Sequence, residues 1–355
     1  MKIRVGALLL ALILSLSALT ACGGRGDAEV HVFYYTFSDT YVSTVRSTLD
    51  SKLTEAGIRY QDYDGNGNQT TQTEQIRTAI TKGARALLVN IVNTGSDDAA
   101  NEIVGLARDA GIPLIFFNRE VSDTVIKSYD NCAYVGTRSE EAGILQGEMV
   151  GDYLLSHYDE TDLNGDGVIS YVLFKGEEGN NEAIYRTKYS VEKANEMLMA
   201  KGKKPLRFYD SSNKNGYLVD QNGQWSSAAA NDYMNTILAS HNAANKNMIE
   251  LVICNNDSMA EGAISALNAA GYNKGGSSPT VPVFGVDATE AAKALIKDGK
   301  MYGTVQQDAV GMANALALLT GNALDTSKGL MDGTEALPVD DTVRKIRIPY
   351  GKYVG

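Results

Sequence analysis

The sequence of 355 residues contains only three cysteines, three histidines and one tryptophan. Cys132 and Cys254 lie in apolar strand-like stretches, so we expect buried free thiols and no cysteine-based metal or redox chemistry. No GxSxG, HExxH or Walker motif is present, and the histidines lie outside every site considered below. These absences argue against the common hydrolases, metalloproteases and nucleotide-binding enzymes.

Positive charge is also scarce. Lys and Arg total 32 against 43 Asp and Glu, which gives a formal net charge of −11. An acidic surface disfavours binding to nucleic acid and is ordinary for an exported protein. A DNA-binding repressor is disfavoured for the same reason, since it would carry a helix-turn-helix and a basic face.

The first 21 residues have the pattern of an export signal, with Lys2 and Arg4 before one apolar run from Val5 to Leu19. That run is too short to span a bilayer. The residues Leu19-Thr20-Ala21-Cys22 resemble a bacterial lipobox, which implies lipid on Cys22 and a linker at residues 22–29. Ordinary secretion is the alternative. We expect an extracytoplasmic protein that touches the membrane through its lipid anchor only.

From Val30 onward, short apolar runs alternate with amphipathic segments, which predicts repeated βα units and parallel sheets. A first series has expected strands at 30–36, 58–63, 86–91, 112–117 and 132–135, and helices at 40–56, 70–82 and 97–110. A second, which starts after a helix near 139–155, has strands at 168–174, 206–210, 249–254, 281–286 and 303–305, and helices near 181–201, 225–240, 257–270 and 289–298. A last helix at 307–322 and a strand near 344–350 can return to either half. The length favours two α/β lobes over one core.

Five of the strand-like runs are followed by a short amide or carboxylate side chain. The residues are Asp39, Asn90, Asn118, Asn256 and Asp287. In parallel α/β sheets, ligands bind outside the carboxyl ends of the strands. Carboxylates accept hydrogen bonds and amides both donate and accept, which suits a ligand made of hydroxyls. The alternative is that these residues only start turns and cap the following helices.

A second motif, DLNGDGVIS at 162–170, matches the first nine positions of an EF-hand calcium loop. Its oxygen donors would come from Asp162, Asn164, Asp166, the Val168 carbonyl and Ser170. The twelfth position, which should be a bidentate Glu, is Leu173, and the residues before it read as a strand. Either this is an Asx-rich turn that binds nothing, or the missing carboxylate comes from another part of the fold.

The chain from about Val30 to Val354 resembles the periplasmic galactose/glucose-binding proteins of bacterial sugar ABC transporters. The motifs that carry the resemblance are FFNRE at 116–120, YVGTRSEEAGILQGE at 134–148, DLNGDG at 162–167, LFKGEEGNNEAIYR at 173–186, ICNNDSMAEGA at 253–263 and VPVFGVDA at 281–288. The resemblance implies a type I periplasmic binding protein fold, with two doubly wound parallel-sheet lobes joined by a multi-strand hinge. It also implies that Glu250 completes a structural Ca²⁺ site, where Ser170 replaces a family Gln.

The sugar-contacting positions of that family correspond here to Asp39, Tyr41, Asn118, Asn180, Glu182, Arg186, Trp225, Asn256, Asp287 and Gln307. Tyr41 and Trp225 would stack on the two faces of a pyranose ring. Four positions depart from the family pattern: Tyr41, Asn180, Glu182 and Gln307 stand where Phe, His, Asp and Asn are usual. Glu182 and Gln307 are each one methylene longer, so their polar ends would reach different sugar atoms.

The resemblance predicts an N-terminal lobe of residues 30–137 plus 308–343 and a C-terminal lobe of residues 138–307 plus 344–355. We expect a non-enzymatic receptor that binds glucose or galactose and delivers it to an ABC transporter permease. Alternatives are a pentose ligand, or a sugar sensor read by a chemoreceptor or sensor kinase. A glycosidase using Asp39 and Asp287 as acid and nucleophile is disfavoured because nothing else supports it.

Overall fold

The computed structural model describes residues 27–340 and 342–355, so the predicted export signal, Cys22 and most of the predicted linker lie outside the described residues. The described residues form two lobes, each a mainly parallel sheet flanked by helices. Within them, no helix has the length and apolar character needed to cross a membrane. Cys132 and Cys254 are buried and free, as predicted.

The first lobe contains a seven-stranded sheet in the order β12-β13-β5-β4-β3-β1-β2. Its strands are β1 Val30–Tyr34, β2 Tyr60–Asp64, β3 Ala86–Val89, β4 Leu114–Phe117, β5 Cys132–Gly136, β12 Val339–Asp340 and β13 Lys345–Arg347. Its helices are α1 Thr40–Glu55, α2 Gln69–Thr81, α3 Asp98–Ala110, α4 Asp123–Lys127 and α10 Ala309–Leu324. All adjacent pairs are parallel except β12 with β13.

Alternate residues of β1 are buried in two different cores, as expected for a strand covered on both faces. Val32 and Tyr34 pack in the core that includes residues of α1 and α10, whereas Phe33 packs in the core that includes residues of α2 and α3. The apolar VHVFY run therefore forms a central strand because neither of its faces meets water.

The second lobe contains a sheet in the order β14-β11-β10-β9-β6-β7, with β8 also paired to β6. Its strands are β6 Ser170–Lys175, β7 Arg207–Phe208, β8 Leu218–Val219, β9 Leu251–Cys254, β10 Val283–Asp287, β11 Gly303–Gln307 and β14 Tyr350–Tyr353. Its helices are α5 Ser139–Thr161, α6 Asn181–Ala200, α7 Ser227–Ser240, α8 Asp257–Ala269 and α9 Glu290–Lys297. Only the edge strand β14 runs antiparallel to its neighbour.

Glycines allow α5 and α6 to pack closely. A Cβ atom on Gly143 would lie 2.6 Å from the Tyr185 carbonyl oxygen, and one on Gly147 would lie 2.6 Å from the Ser190 carbonyl oxygen. Such distances exclude any larger residue without movement of the helices. This contact matters for function because α6 carries Glu182 and Arg186.

The chain crosses between the lobes three times: after β5, at Asp308 between β11 and α10, and between β13 and β14. The third crossing corrects the predicted boundary at residue 344. Residues 345–347 pair in parallel with β5 of the first lobe, whereas residues 350–353 pair with β11 of the second. The expected single strand near 344–350 is thus two strands, separated at Ile348 and Pro349, where proline has no N–H to continue a ladder.

The observed elements overlap every helix and strand expected from the periodicity. Three short elements were not predicted: α4, β8 and β12. Two of them are two-residue strands, which are too short to show an alternating pattern. Periodicity did not show to which lobe the last helix belongs. In the structure this helix packs against α1 in the first lobe.

Candidate ligand-binding cleft

A cleft between the two lobes is lined by all ten positions at which the resemblance predicts sugar contact. It contains about 370 Å³ of unfilled space, part of which is open to solvent. Three further residues line it: Tyr35, Val42 and Arg119. The structure therefore brings the predicted positions together, while their contacts with a sugar stay a prediction.

The carboxyl ends of the strands supply the cleft residues of both lobes. Asp39 and Asn118 follow β1 and β4, Asn256 follows β9, and Asp287 and Gln307 end β10 and β11. The carboxyl ends of the strands in the two sheets face each other across the cleft, as expected for a ligand site in parallel α/β folds.

Three of the cleft residues also cap helices. Asp39, Asn180 and Asn256 each accept a hydrogen bond at Oδ1 from a backbone N–H in the first turn of the following helix, at 2.8, 3.0 and 3.0 Å. Their second polar atoms are directed elsewhere: Asp39 Oδ2 accepts from the Tyr35 hydroxyl at 2.6 Å. Capping a helix and lining the cleft are thus compatible roles for one side chain.

Asn90 is the exception among the five strand-end residues. It is fully buried and does not line the cleft. Its Nδ2 donates to Asn118 Oδ1 at 3.0 Å and to the Phe117 carbonyl at 3.1 Å, and its Oδ1 accepts from Tyr35 N–H. Asn90 therefore supports the orientation of a cleft residue and does not itself face a ligand.

Arg186 is one of the two cations that line the cleft and is almost completely buried. Its Nη1 donates to the Asn255 carbonyl at 2.9 Å, and its Nη2 donates to Gln307 Oε1 at 3.0 Å and to the Tyr350 hydroxyl at 3.1 Å. Its burial favours a lower pKa, but Tyr350 and Asp287 outweigh that effect and raise the pKa of the guanidinium. Arg186 consequently stays cationic in a rigid orientation.

Two buried carboxyl groups lie near Arg186. Burial raises the pKa of Asp287 well above its usual range, and Arg186, with Nη1 3.8 Å from Asp287 Oδ1, opposes that rise. Burial likewise raises the pKa of Glu182, against the opposing effects of Arg186 and Arg119. The lining thus contains three carboxyl groups, with Asp39, against two guanidinium groups.

Trp225 and Tyr41 supply the aromatic surface. Trp225 packs directly over Gly176, whose missing side chain leaves the space that the indole ring occupies. The Tyr41 hydroxyl lies 3.7 Å from the Met312 sulfur, which holds its ring against the first lobe. Each ring is at most 7% exposed, so both are fixed by packing and hydrogen bonds before a ligand enters.

The backbone is strained at three cleft residues. Asn118, Trp225 and Asp287 have φ angles of 59°, 54° and 125°, a region that residues other than glycine rarely adopt. Such conformations persist only when the surrounding structure enforces them, and they are concentrated at functional sites. Their coincidence with the cleft supports a binding role for it.

Four polar atoms of the cleft residues are buried and have no hydrogen-bond partner within residues 27–340 and 342–355: Arg119 Nε, Glu182 Oε2, Arg186 Nε and Gln307 Nε2. An unpaired buried polar atom is destabilising by roughly 1–3 kcal/mol. Three of these atoms are donors, and the fourth, Glu182 Oε2, is an acceptor. They come from both lobes. A ligand with several hydroxyl groups can satisfy all of them, because each hydroxyl donates one hydrogen bond and accepts others.

Sequence reasoning did not identify Arg119, Tyr35 or Glu177 as site residues. Arg119 Nη2 donates to both carboxylate oxygens of Glu177, at 3.0 and 2.9 Å, and its guanidinium lies 4.4 Å from the Tyr35 ring centroid. Arg119 directly follows Asn118 within the FFNRE motif, which was the available signal. Nothing in the local sequence indicates that its partner lies in the other lobe.

The calcium-type loop joins α5 to β6, so a strand follows it, as expected. Glu250, which is 1% exposed, accepts from the backbone N–H groups of Leu163 and Ser170 at 2.9 and 2.7 Å and from the Ser170 hydroxyl at 2.8 Å. Asp166 pairs with Arg207 at 2.7 Å. Across the described residues, no three His, Cys, Asp or Glu side chains converge as a metal site.

The loop residues nevertheless fit a hard cation in chemistry. Asp162, Asn164, Asp166, Val168, Ser170 and Glu250 offer only oxygen donors, which is the preference of calcium. Glu250 directly precedes β9, and its carboxylate reaches the loop, as the resemblance implies. Burial raises its pKa, against the opposing effect of the hydrogen bonds from Ser170.

The chain matches a family model described as a periplasmic binding protein domain, over residues 30–328. It is 35% identical to a D-galactose/methyl-galactoside binding periplasmic protein of Haemophilus influenzae, with 91% of this chain and 88% of the relative covered. It is 30% identical to a putative rhizopine-binding protein of Rhizobium meliloti, with 88% and 86% covered.

Solved structures share the fold. An ABC transporter solute-binding protein from Clostridium phytofermentans with bound β-D-glucose superposes with a TM-score of 0.71 at 21% identity, covering 92% of this chain and 93% of that one. Another, from Bacillus halodurans with bound myo-inositol, has a TM-score of 0.70 at 24% identity, covering 94% and 96%. At these identities the likeness establishes the two-lobed architecture.

Proposed function

Because the chain belongs to the periplasmic binding protein family, we propose that it binds a monosaccharide of the glucose or galactose type between its lobes and delivers it to an ABC transporter. The protein is accordingly a solute-binding protein and not an enzyme, so Asp39 and Asp287 have binding roles rather than the acid and nucleophile roles of a glycosidase. The observation that carries the proposal is the set of four unpaired buried polar atoms in the cleft.

Binding favours the closed arrangement because a sugar in the cleft contacts residues of both lobes at once. Asn118 and Asp39 would hold it from the first lobe, and Arg186, Asn256 and Asp287 from the second. Only a ligand with such differential contacts shifts the equilibrium between open and closed forms. The aromatic rings of Trp225 and Tyr41 would cover the apolar C–H surface of a pyranose.

The relatives support a sugar and narrow its type. The Haemophilus influenzae relative is named for galactose and methyl-galactoside, and one structural neighbour contains glucose. Tyr41, Asn180, Glu182 and Gln307 differ from the pattern implied by the resemblance, and they are the residues on which the choice between glucose and galactose depends. A pentose is the second candidate, because Glu182 and Gln307 are each one methylene longer than the residues usual in the family and their polar ends would reach different sugar atoms.

Isothermal titration with glucose, galactose, xylose, arabinose and ribose tests the proposal. We expect an aldohexose to bind most tightly. Glucuronate is the matched control, because it keeps the ring of glucose but carries a carboxylate in place of an uncharged polar group. Absence of binding by every sugar, or preference for glucuronate, would contradict the proposal.

The loop at 162–170, with Glu250, is the proposed place of a structural calcium ion. When bound, the ion would link this loop to the start of β9 through Glu250. A chelator should then lower the melting temperature and calcium should restore it, since a ligand of the native state stabilises it. Glu250→Gln should abolish the calcium response. An unchanged melting curve would indicate instead that Arg207 and Lys204, which bond to Asp166, hold the loop without an ion.

Lipid attachment at Cys22 is proposed from the sequence motif alone. A tethered receptor stays close to its transporter, which raises its effective concentration there. Mass spectrometry of the protein isolated from cells should show an acylated Cys22 as the first residue. Recovery of Cys22→Ala from the soluble fraction, with the parent in the membrane fraction, would support the anchor, and an unmodified Cys22 in the parent would refute it.

A further inference from the structure

Glu177 lies beside the cleft without lining it, in the loop after β6. Its two carboxylate oxygens accept hydrogen bonds from Arg119 Nη2 at 3.0 and 2.9 Å. Oε2 also accepts from Trp225 Nε1 at 3.3 Å. One carboxylate therefore holds a cation of the first lobe and an aromatic ring of the second, and both of those side chains face the cleft.

This contact is the only ion pair that joins the two lobes among residues 27–340 and 342–355. Arg119 is 4% exposed and the Glu177 side chain is 24% exposed, so water screens the pair only partly. A charge-assisted hydrogen bond is stronger than a neutral one.

Arg119 is held from two further sides. Its Nη2 also donates to the Val92 carbonyl at 2.7 Å, and its guanidinium lies over the Tyr35 ring. The Tyr35 hydroxyl in turn donates to Asp39. These contacts leave Arg119 Nε buried and unpaired at the cleft. A series of contacts thus runs from Trp225 through Glu177 and Arg119 to Asp39.

We propose that Glu177 is a positioning residue: by bridging Arg119 and the Trp225 indole it orients two ligand-facing groups and couples sugar affinity to closure of the lobes. This rests on the proposed function for its effect on sugar affinity, but not for its effect on Trp225. When the lobes separate, Arg119 and Glu177 must part, so the pair favours the closed arrangement. Release of a ligand from the cleft therefore requires that the Arg119–Glu177 pair break in addition to the contacts of the ligand itself.

The chain offers a matched pair of variants. Glu177→Gln keeps the size of the side chain, but it replaces one of the two acceptor oxygens with an NH2 donor, which cannot bond to the donors of Arg119 or Trp225. Glu178→Gln makes the same change one residue away. Glu178 bonds to Lys175 and to the Tyr217 hydroxyl and contacts neither Arg119 nor Trp225.

The protein's only tryptophan is Trp225, so its intrinsic emission reports on this position without a label. Without any sugar, Glu177→Gln should shift the emission to longer wavelength and lower its anisotropy, because the indole competes with Arg119 for the one remaining acceptor oxygen and is held less firmly. Glu178→Gln should match the parent in both. These spectra do not require that the ligand be known.

Titration with glucose and galactose gives the second readout. Glu177→Gln should weaken whichever sugar binds the parent by about tenfold, mainly through faster dissociation, because a buried pair acts on the off-rate. The proposal would be overturned if Glu177→Gln kept the emission and the sugar affinity of the parent, whether or not its melting temperature fell. If neither sugar binds the parent, the proposed function fails, and the emission spectra alone decide whether Glu177 positions Trp225.

Discussion

Arg186→Lys is the sharpest test of the cleft, because it keeps the positive charge and removes the planar fork of donors. Arg186 has five N–H groups, and three of its hydrogen bonds go to Asn255, Gln307 and Tyr350. The Nε–H remains buried and unpaired. We therefore assign Nε to a sugar hydroxyl.

The expected loss follows from that assignment. A hydrogen bond between a charged group and a neutral partner contributes about 1.5–3 kcal/mol, and each 1.4 kcal/mol changes Kd about tenfold. Lysine lacks an equivalent of Nε, and its ammonium cannot reach all of the present partners. We expect the Kd for the preferred sugar to rise by about tenfold to about 100-fold.

The assay is isothermal titration of Arg186→Lys beside Arg77→Lys. Arg77 pairs with Glu102 on the surface and its side chain is 45% exposed, so its replacement should leave the Kd unchanged. Thermal melting of both variants separates weaker binding from partial unfolding. If Arg186→Lys melts like the parent and binds sugar within about threefold of it, Nε does not contact the ligand and the assignment is wrong.

Three further predictions concern the packing and titration of buried groups. Burial and the neighbouring Asp50 raise the pKa of Asp62 to about 7. The folded protein therefore keeps a proton that the unfolded chain releases above about pH 4. The free energy of unfolding should consequently fall from about pH 4 to about pH 7, and it should fall less steeply in Asp62→Asn. Denaturant titrations across this pH range measure both slopes. Gly176→Ala places a methyl group in the space of the Trp225 ring, so it should change the tryptophan emission and weaken sugar binding, and an unchanged spectrum would contradict the packing described. Burial raises the pKa of Cys132 to about 12, so a thiol reagent should modify this residue only after denaturant is added.

The strand-end residues were predictable because their signal is local. Asp39, Asn118, Asn256 and Asp287 each follow an apolar run, and parallel strands bring such positions to one edge of a sheet. Asn90 has the same local pattern but supports Asn118 from inside the first lobe. The pattern gives the position of a side chain along the strand, whereas the direction in which it bonds depends on neighbouring strands.

The residues that local spacing could not identify depend on contacts between distant segments. Arg119 and Glu177 are 58 positions apart and lie in different lobes, so no spacing rule links them. Glu250 bonds to a loop about 80 positions away, and only the resemblance identified it. The boundary at Ile348 and Pro349 had a local signal in the proline, but a short run of strand-like residues does not show which sheet each half joins.

The two interpretations of a strand-end Asp or Asn have different consequences for mutagenesis. Asp39 caps α1 through Oδ1 and accepts from Tyr35 through Oδ2, so one side chain serves the helix and the cleft at the same time. Loss of a cap destabilises a protein by about 1 kcal/mol, and alanine at this position would combine that loss with any loss of ligand contact. Asparagine keeps an acceptor for the cap and alters the atom that faces the cleft. Isosteric replacement therefore separates folding from binding at Asp39, and the same logic extends to Asn180 and Asn256, where one amide atom caps and the other is directed away from the helix.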